Sequence, residues 1–274
     1  METLIQALVM GVAQGLTEFL PISSSGHLLL IPYLFEWTDP FIESLAFSVV
    51  LHGGTLLALL VYFREDWLRL IPGFLASLRE RSLGDDPDRR LAWLLLLATI
   101  PAAVIGALFS DLIESNVRQP GLVAVMLVAG GVTLWLADRW GPRTHTIDRL
   151  SARGALGIGV AQVLALVPGV SRSGISISAA LFAGLDRADA TRFSFLMATP
   201  VIGGAVAYEG FKLLRGEVVG VEPIALVVGV VASFVSGVLA IAVLLRYVRS
   251  RSFTIFVVYR FVLAAVVLAV FLAR

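Results

Sequence analysis

Apolar residues in this chain run in long, unbroken stretches. Residues 91–109, 120–137, 223–245 and 253–273 each approach the roughly 20 residues that carry an α-helix across a bilayer. They lack the period-two alternation of a barrel strand, so they predict helices. Apolar stretches at 42–63 and 190–211 extend the series. Two more segments are interrupted by Pro, Gly and Ser. A helix is expected over 3–20, a break over Pro21–Gly26 and a second helix over 27–35; the same scheme returns as 154–167, 168–174 and 175–185. These pieces are too short to span singly, so each pair predicts a re-entrant helical hairpin. The polar stretches 64–90 and 139–153 read as the main loops.

The two interrupted segments repeat one another. Gly11, Val12, Ala13, Gln14, Leu16, Ser23, Ser25 and Gly26 recur, without a gap, as Gly159, Val160, Ala161, Gln162, Leu164, Ser171, Ser173 and Gly174. Such a repeat predicts two half-domains, about 1–140 and 150–274. Breaks at corresponding places in two halves of a membrane protein point to its binding site. The loop arginines set an orientation. Fifteen fall in loops 64–90, 139–153, 186–192 and 246–251, whereas the other side receives only Arg118, Lys212, Arg215 and Arg274. Both termini are therefore expected outside, with hairpin one entering from outside and hairpin two from the cytoplasm. The expected fold is an all-α polytopic membrane protein, an inverted-topology repeat with two re-entrant helical hairpins and about six full transmembrane helices. Its hairpin tips would meet near the midplane, where unpaired backbone needs cover from protein or a water-filled cavity.

Composition agrees with a membrane chain: 58% of residues are hydrophobic and 15% charged, with a mean hydropathy of +0.91. The absence of cysteine removes disulfide and thiol chemistry. A net charge of +1 gives no reason to expect a nucleic-acid partner. Residues 1–20 lack a basic leader and a small-residue cleavage site, and are expected in the mature protein.

Chemistry concentrates at the breaks. Arg172 opens a helix in Ser171-Arg172-Ser173-Gly174, where free N–H groups already favour an anion. Its guanidinium suits bidentate phosphate binding, and a structural ion pair with Glu18 is the plainer alternative. Arg260 lies in an apolar helix, either in a structural pair or at the site. Gln14 and Glu18, four apart, share a helix face. They read as oxygen ligands for a hard cation such as Mg²⁺, with Glu18 as a proton acceptor in the alternative. Ser23, Ser24, Ser25 and Gly26 offer hydroxyls and N–H groups to an anion, Ser23 and Ser25 also as helix caps. His27 is the natural base or nucleophile for phosphoryl transfer. His52, in His-Gly-Gly-Thr, is a weaker candidate to border the cavity, and His145 reads as a solvated loop residue. The pairs Gly53-Gly54, Gly130-Gly131 and Gly203-Gly204 read as close helix crossings.

With these residues in view, the chain resembles the undecaprenyl-diphosphate phosphatase family, associated with bacitracin resistance, over essentially its whole length. The resemblance is carried by Gln14 through His27 and by Pro168-Gly169-Val170-Ser171-Arg172-Ser173-Gly174. It implies an enzyme, a diphosphate hydrolase that converts undecaprenyl diphosphate to undecaprenyl phosphate and phosphate for peptidoglycan synthesis. It further implies a divalent cation, Mg²⁺ or Ca²⁺, and a bacterial inner-membrane location with a site opening to the periplasmic side. Ser24 matches the proposed nucleophile, His27 its partner, Glu18 the metal-associated carboxylate and Arg172 the phosphate clamp, with His27 itself as nucleophile in the competing version. Ser23, Ser25, Gly26, Ser171, Ser173 and Gly174 are expected to bind substrate, and Gln14 to stand beside Glu18 at the metal. Many members have Glu where this chain has Gln14, which removes one anionic ligand. A homodimer is a candidate assembly. The rival reading is an inverted-repeat transporter or flippase of a phosphorylated polyprenyl lipid.

Overall fold

The computed structural model describes residues 2–117, 119–215 and 222–274; Arg118, counted above on the outer side, lies outside them. Eleven α-helices and two short 3₁₀ turns make up these residues, with no strand among them. The first pair is α1 (Glu2–Phe19) and α2 (Ser24–Phe35), followed by α3 (Leu45–Tyr62), α4 (Arg64–Glu80), α5 (Pro87–Val117) and α6 (Pro120–Trp140). Then come α7 (Ala152–Gln162), α8 (Arg172–Phe182), α9 (Arg187–Leu214), α10 (Pro223–Tyr247) and α11 (Thr254–Ala273). Five of them, α5, α6, α9, α10 and α11, are long and apolar enough to cross a bilayer; α3 joins them only with α4, across a bend of 82°.

Two expectations about the elements change. The polar stretch 64–90 is not all loop. It holds α4, whose Trp67, Leu70, Ile71 and Phe74 line an apolar groove with Leu95, Leu96 and Pro200. Leu68, Ile71, Leu75 and Leu78 are exposed at helical spacing, so interleaved arginines and acids masked an amphipathic helix. The two breaks are also shorter than expected. α2 and α8 start at Ser24 and Arg172 because Ser23 and Ser171 cap them, accepting from Gly26 N and Gly174 N at 3.3 and 3.1 Å.

The helix crossings are lined by small residues. Along α10, Val227, Val231, Val235, Leu239 and Val243 are exposed, while Gly229, Ala232, Ser233, Ser236 and Gly237 are buried. Small residues let backbones approach closely where no hydrophobic gain drives association. A side chain at Gly11 would collide with Gly229 and Ala232, one at Gly54 with Val230 and Phe234, and one at Gly159 with Ala98. Gly130 and Gly131 likewise face Arg260 and Phe261. Gly203 and Gly204 depart from the expected close crossing: a Cβ meets only Leu56 at 4.0 Å at the former and nothing within 4 Å at the latter.

Packing partners follow a paired order. α1 lies on α10 as α7 lies on α5; α3 lies on α10 as α9 lies on α5; α2 meets α11 as α8 meets α6. Away from the hairpins, Asp138 ties three elements, accepting from Arg187 Nε at 2.5 Å and Phe253 N at 2.9 Å. His145 is half-buried, in a bridge to Leu185, rather than a freely solvated loop residue.

Candidate active site

The site is assembled where the break after α1 meets the break before α8. Ser23 and Ser171, related by the sequence repeat, both adopt positive φ, 78° and 75°. For a residue with a Cβ this costs about 1–3 kcal/mol, a strain that surrounding structure must over-determine. Here it does. Ser23 Oγ accepts from Gly26 N at 3.3 Å and, across the repeat, from Gly169 N at 3.1 Å. Ser173 Oγ donates back to Leu20 O at 3.2 Å. Gly169, at φ 99°, packs against Val123 and Met126 with no room for a side chain.

Arg260 locks the two breaks together. It is fully buried, and its partners are backbone carbonyls rather than the acid expected of a buried arginine. Nε donates to Leu127 O at 2.9 Å, Nη1 to Pro21 O at 3.2 Å, and Nη2 to Gly169 O, Val170 O and Met126 O at 2.8, 3.0 and 3.3 Å. Three of these carbonyls, on Pro21, Gly169 and Val170, lie in the breaks outside any helix, while Met126 and Leu127 belong to α6, so the guanidinium pins both breaks to that helix.

Glu18 is the hub of the reactive set, with only 5% of its surface exposed. Ser24 Oγ donates to its Oε2 at 2.5 Å, Gln14 Nε2 donates to the same oxygen at 3.1 Å, and the Arg172 guanidinium meets its Oε1. Arg172 also donates to Ala198 O at 3.5 Å. A crevice too narrow to admit a water molecule lies beside this pair, lined by Glu18, Phe19, Arg172, Ser173, Ser194, Phe195 and Ala198. A roomier cavity near the start of α1, between Gln6, Trp37 and Asp39, has no histidine or arginine in its lining and stands apart from this chemistry.

His27 departs from the sequence expectation. Its Nδ1 donates to Ser23 O at 2.7 Å, and its Nε2 accepts from the Tyr259 hydroxyl at 2.7 Å, the two rings stacked with centroids 5.7 Å apart. Both ring nitrogens are therefore engaged, and the expected Ser24–His27 contact is replaced by Ser24–Glu18. The cause is the cap: α2 begins at Ser24, so a one-turn hydrogen bond from His27 back to Ser23 turns the ring away from the Ser24 hydroxyl.

The fold brings Gln14, Glu18, Ser24 and Arg172 together, with His27 one helical turn away. Ser23, Gly26, Ser171, Ser173 and Gly174 serve the turns, and Ser25, exposed, sits 3.4 Å from Ser23 Oγ. A family model described as bacitracin resistance protein BacA matches residues 7–266. The chain belongs to this family. Among its relatives, the undecaprenyl-diphosphatases of Gemmatimonas aurantiaca and Geobacter sulfurreducens are 45% and 46% identical to it, each match covering 99% of both chains. That of Rubrobacter xylanophilus is 45% identical over 99% of this chain and all of its own.

In this BacA-family chain, sequence reasoning missed Tyr259 and undervalued His52, whose Nε2 lies 3.5 Å from Glu18 Oε2. The available signal was a polar group inside an apolar helix, present at both positions. The residues also fit a divalent cation. Gln14 keeps its Oε1 buried and without a hydrogen-bond partner, an orphaned acceptor beside a carboxylate.

Proposed function

We infer that this protein hydrolyses undecaprenyl diphosphate to undecaprenyl phosphate and phosphate, returning the lipid carrier to peptidoglycan synthesis. The observation that carries this reading is Ser24 Oγ donating to Glu18 Oε2 at 2.5 Å, with Arg172 on the same carboxylate. A hydroxyl held on a buried carboxylate is an activated nucleophile with its base in place. Glu18 takes the Ser24 proton as Oγ attacks the terminal phosphorus. The bond to the bridging oxygen breaks, and undecaprenyl phosphate leaves with the electron pair. The free N–H groups at the start of α8 and the Arg172 guanidinium hold the phosphoryl oxygens, most of the catalysis in such reactions being position and charge. Glu18 passes its proton to the departing undecaprenyl phosphate, then takes one from the water that attacks phosphoserine and returns it to Ser24 Oγ as the P–Oγ bond breaks. His27, bonded at both nitrogens, holds the Ser23 turn from which Ser24 projects. Gln14 and Glu18 would hold Mg²⁺ or Ca²⁺, which withdraws charge from the diphosphate.

The halves 1–140 and 150–274 are read as an inverted repeat with two re-entrant hairpins, supported by the exchange of packing partners and the loop arginines. Under that reading the protein lies in the bacterial inner membrane, both termini outside and the site opening to the periplasmic side. A homodimer would leave the site intact, since all its side chains come from one chain. A transporter or flippase has no use for a hydroxyl bonded to a buried carboxylate.

Phosphate release from undecaprenyl diphosphate by purified protein in detergent, with and without EDTA, tests the enzyme. Release is expected to need a divalent ion and to fall by about 10³-fold or more in Ser24→Ala. Full turnover in a folded Ser24→Ala protein would sink the serine mechanism.

A further inference from the structure

His52 takes no part in the chemistry above, yet its ring faces it. Nδ1 lies 2.8 Å from Ser48 O, which can only accept, so Nδ1 carries a proton and Nε2 is the ring atom turned to Glu18. That atom stands 3.5 Å from Glu18 Oε2, which is itself only an acceptor. One turn before Glu18 on α1, Gln14 donates Nε2 to Glu18 Oε2 and leaves its Oε1 buried with no donor. Glu18 Oε2 already accepts from Ser24 Oγ and Gln14 Nε2, whereas Gln14 Oε1 has no donor and His52 Nε2 looks onto a carboxylate oxygen, so a cation held by Glu18 would give both a partner. Arg172 does not meet this need, because it engages the other carboxylate oxygen, Oε1.

We propose that His52 Nε2 is the third protein ligand of the divalent cation, completing a Gln14–Glu18–His52 site; this deepens the preceding reading and rests on it. A neutral imidazole that donates its other N–H to a backbone carbonyl is the usual state of a metal-bound histidine, with tautomer and ring orientation set in advance. Ligands on one octahedral Mg²⁺ or Mn²⁺ stand about 3 Å apart, so a small side-chain rotation brings the 3.5 Å pair into range. No three His, Cys, Asp or Glu residues cluster for a metal among the described residues. Two such ligands and an amide leave the remaining positions to water and diphosphate oxygens, the manner in which small divalent ions are held at phosphates. The nitrogen donor also sets the ion. Ca²⁺ takes six to eight oxygens, whereas imidazole suits smaller transition ions, so the site favours Mn²⁺ over Ca²⁺.

The test is Mn²⁺ binding to the purified full chain in detergent, without substrate, read by pulsed EPR. Wild type is expected to show ¹⁴N modulation from a directly bound imidazole. His52→Ala is expected to lose that modulation and bind Mn²⁺ at least tenfold more weakly, while His145→Ala keeps both. His52→Gln, which supplies an oxygen in the same place, is expected to bind without the nitrogen signal and to shift preference toward Ca²⁺. The melting temperature of each variant reports folding. Mn²⁺ bound without ¹⁴N modulation, or modulation that survives His52→Ala or His52→Gln, overturns the proposal while the phosphatase reading stands. No Mn²⁺ bound by a folded wild type that releases phosphate overturns the cation assignment itself.

Discussion

Two arginines held inside the helical bundle, Arg260 fully buried and Arg172 partly exposed, do opposite work, and their partners say why. Arg260 satisfies five carbonyls and no acid, so it holds shape. Arg172 shares Glu18 with a serine, so it holds charge where an anion can take it over. Replacing each by lysine separates the roles. A lysine ammonium is a point that cannot span Pro21 O in one break and Gly169 O and Val170 O in the other, so Arg260→Lys should leave at least one of them unpaired at about 1–3 kcal/mol, and the melting temperature should fall. Arg172→Lys should change the melting temperature far less while turnover drops about 10²-fold or more, because the bidentate fork is lost. Thermal melts beside phosphate release check both. At this scale the sequence marked Arg172, Glu18, Ser24 and Gln14, since polar groups inside apolar runs need a reason to be there. It misassigned the serine's partner: whether Ser24 turns to His27 or to Glu18 depends on where α2 begins and on Tyr259, a residue 232 positions from His27.

Among the elements, helix crossings depend on which glycine faces a neighbour, and spacing alone does not tell. Gly54 abuts the α10 backbone at Val230 and Phe234, whereas Gly204 has nothing near its missing Cβ. Gly54→Leu should overpack the crossing and cost about 1–3 kcal/mol. Gly204→Ala should be neutral or stabilising by up to about 1 kcal/mol, from helix propensity. Opposite shifts in thermal midpoint are the expected outcome; equal destabilisation would mean that α9 packs more tightly than its geometry shows. The same scale explains the missed helix α4. Its apolar side is split by Arg69, Arg79 and acids, so the stretch reads as polar on average, and the 82° bend at Phe63 sets it apart from α3 as a helix of its own.

For the whole molecule, the arginine asymmetry makes a topological prediction that a cysteine-free chain tests cleanly. Single cysteines at Thr38 and Ser82 should fall on opposite sides, Thr38→Cys reacting with an impermeant maleimide in intact cells and Ser82→Cys only after permeabilisation. Labelling of both from outside would reject the inverted arrangement. Taken alone, the sequence determined that the chain is a helical membrane protein with two matching polar breaks, because bilayer thickness sets segment length and polar groups in lipid are too costly to be accidental. It also carried the motifs that place the chain in its family. Only the tertiary structure decided how the breaks interlock. Ser23 reaches Gly169 across 146 positions, Arg260 reaches Pro21 across 239 and Gly169 across 91, and His52 arrives at Glu18 on a separate helix. Such contacts follow from side-chain direction and helix packing between distant segments, which local period and spacing do not encode.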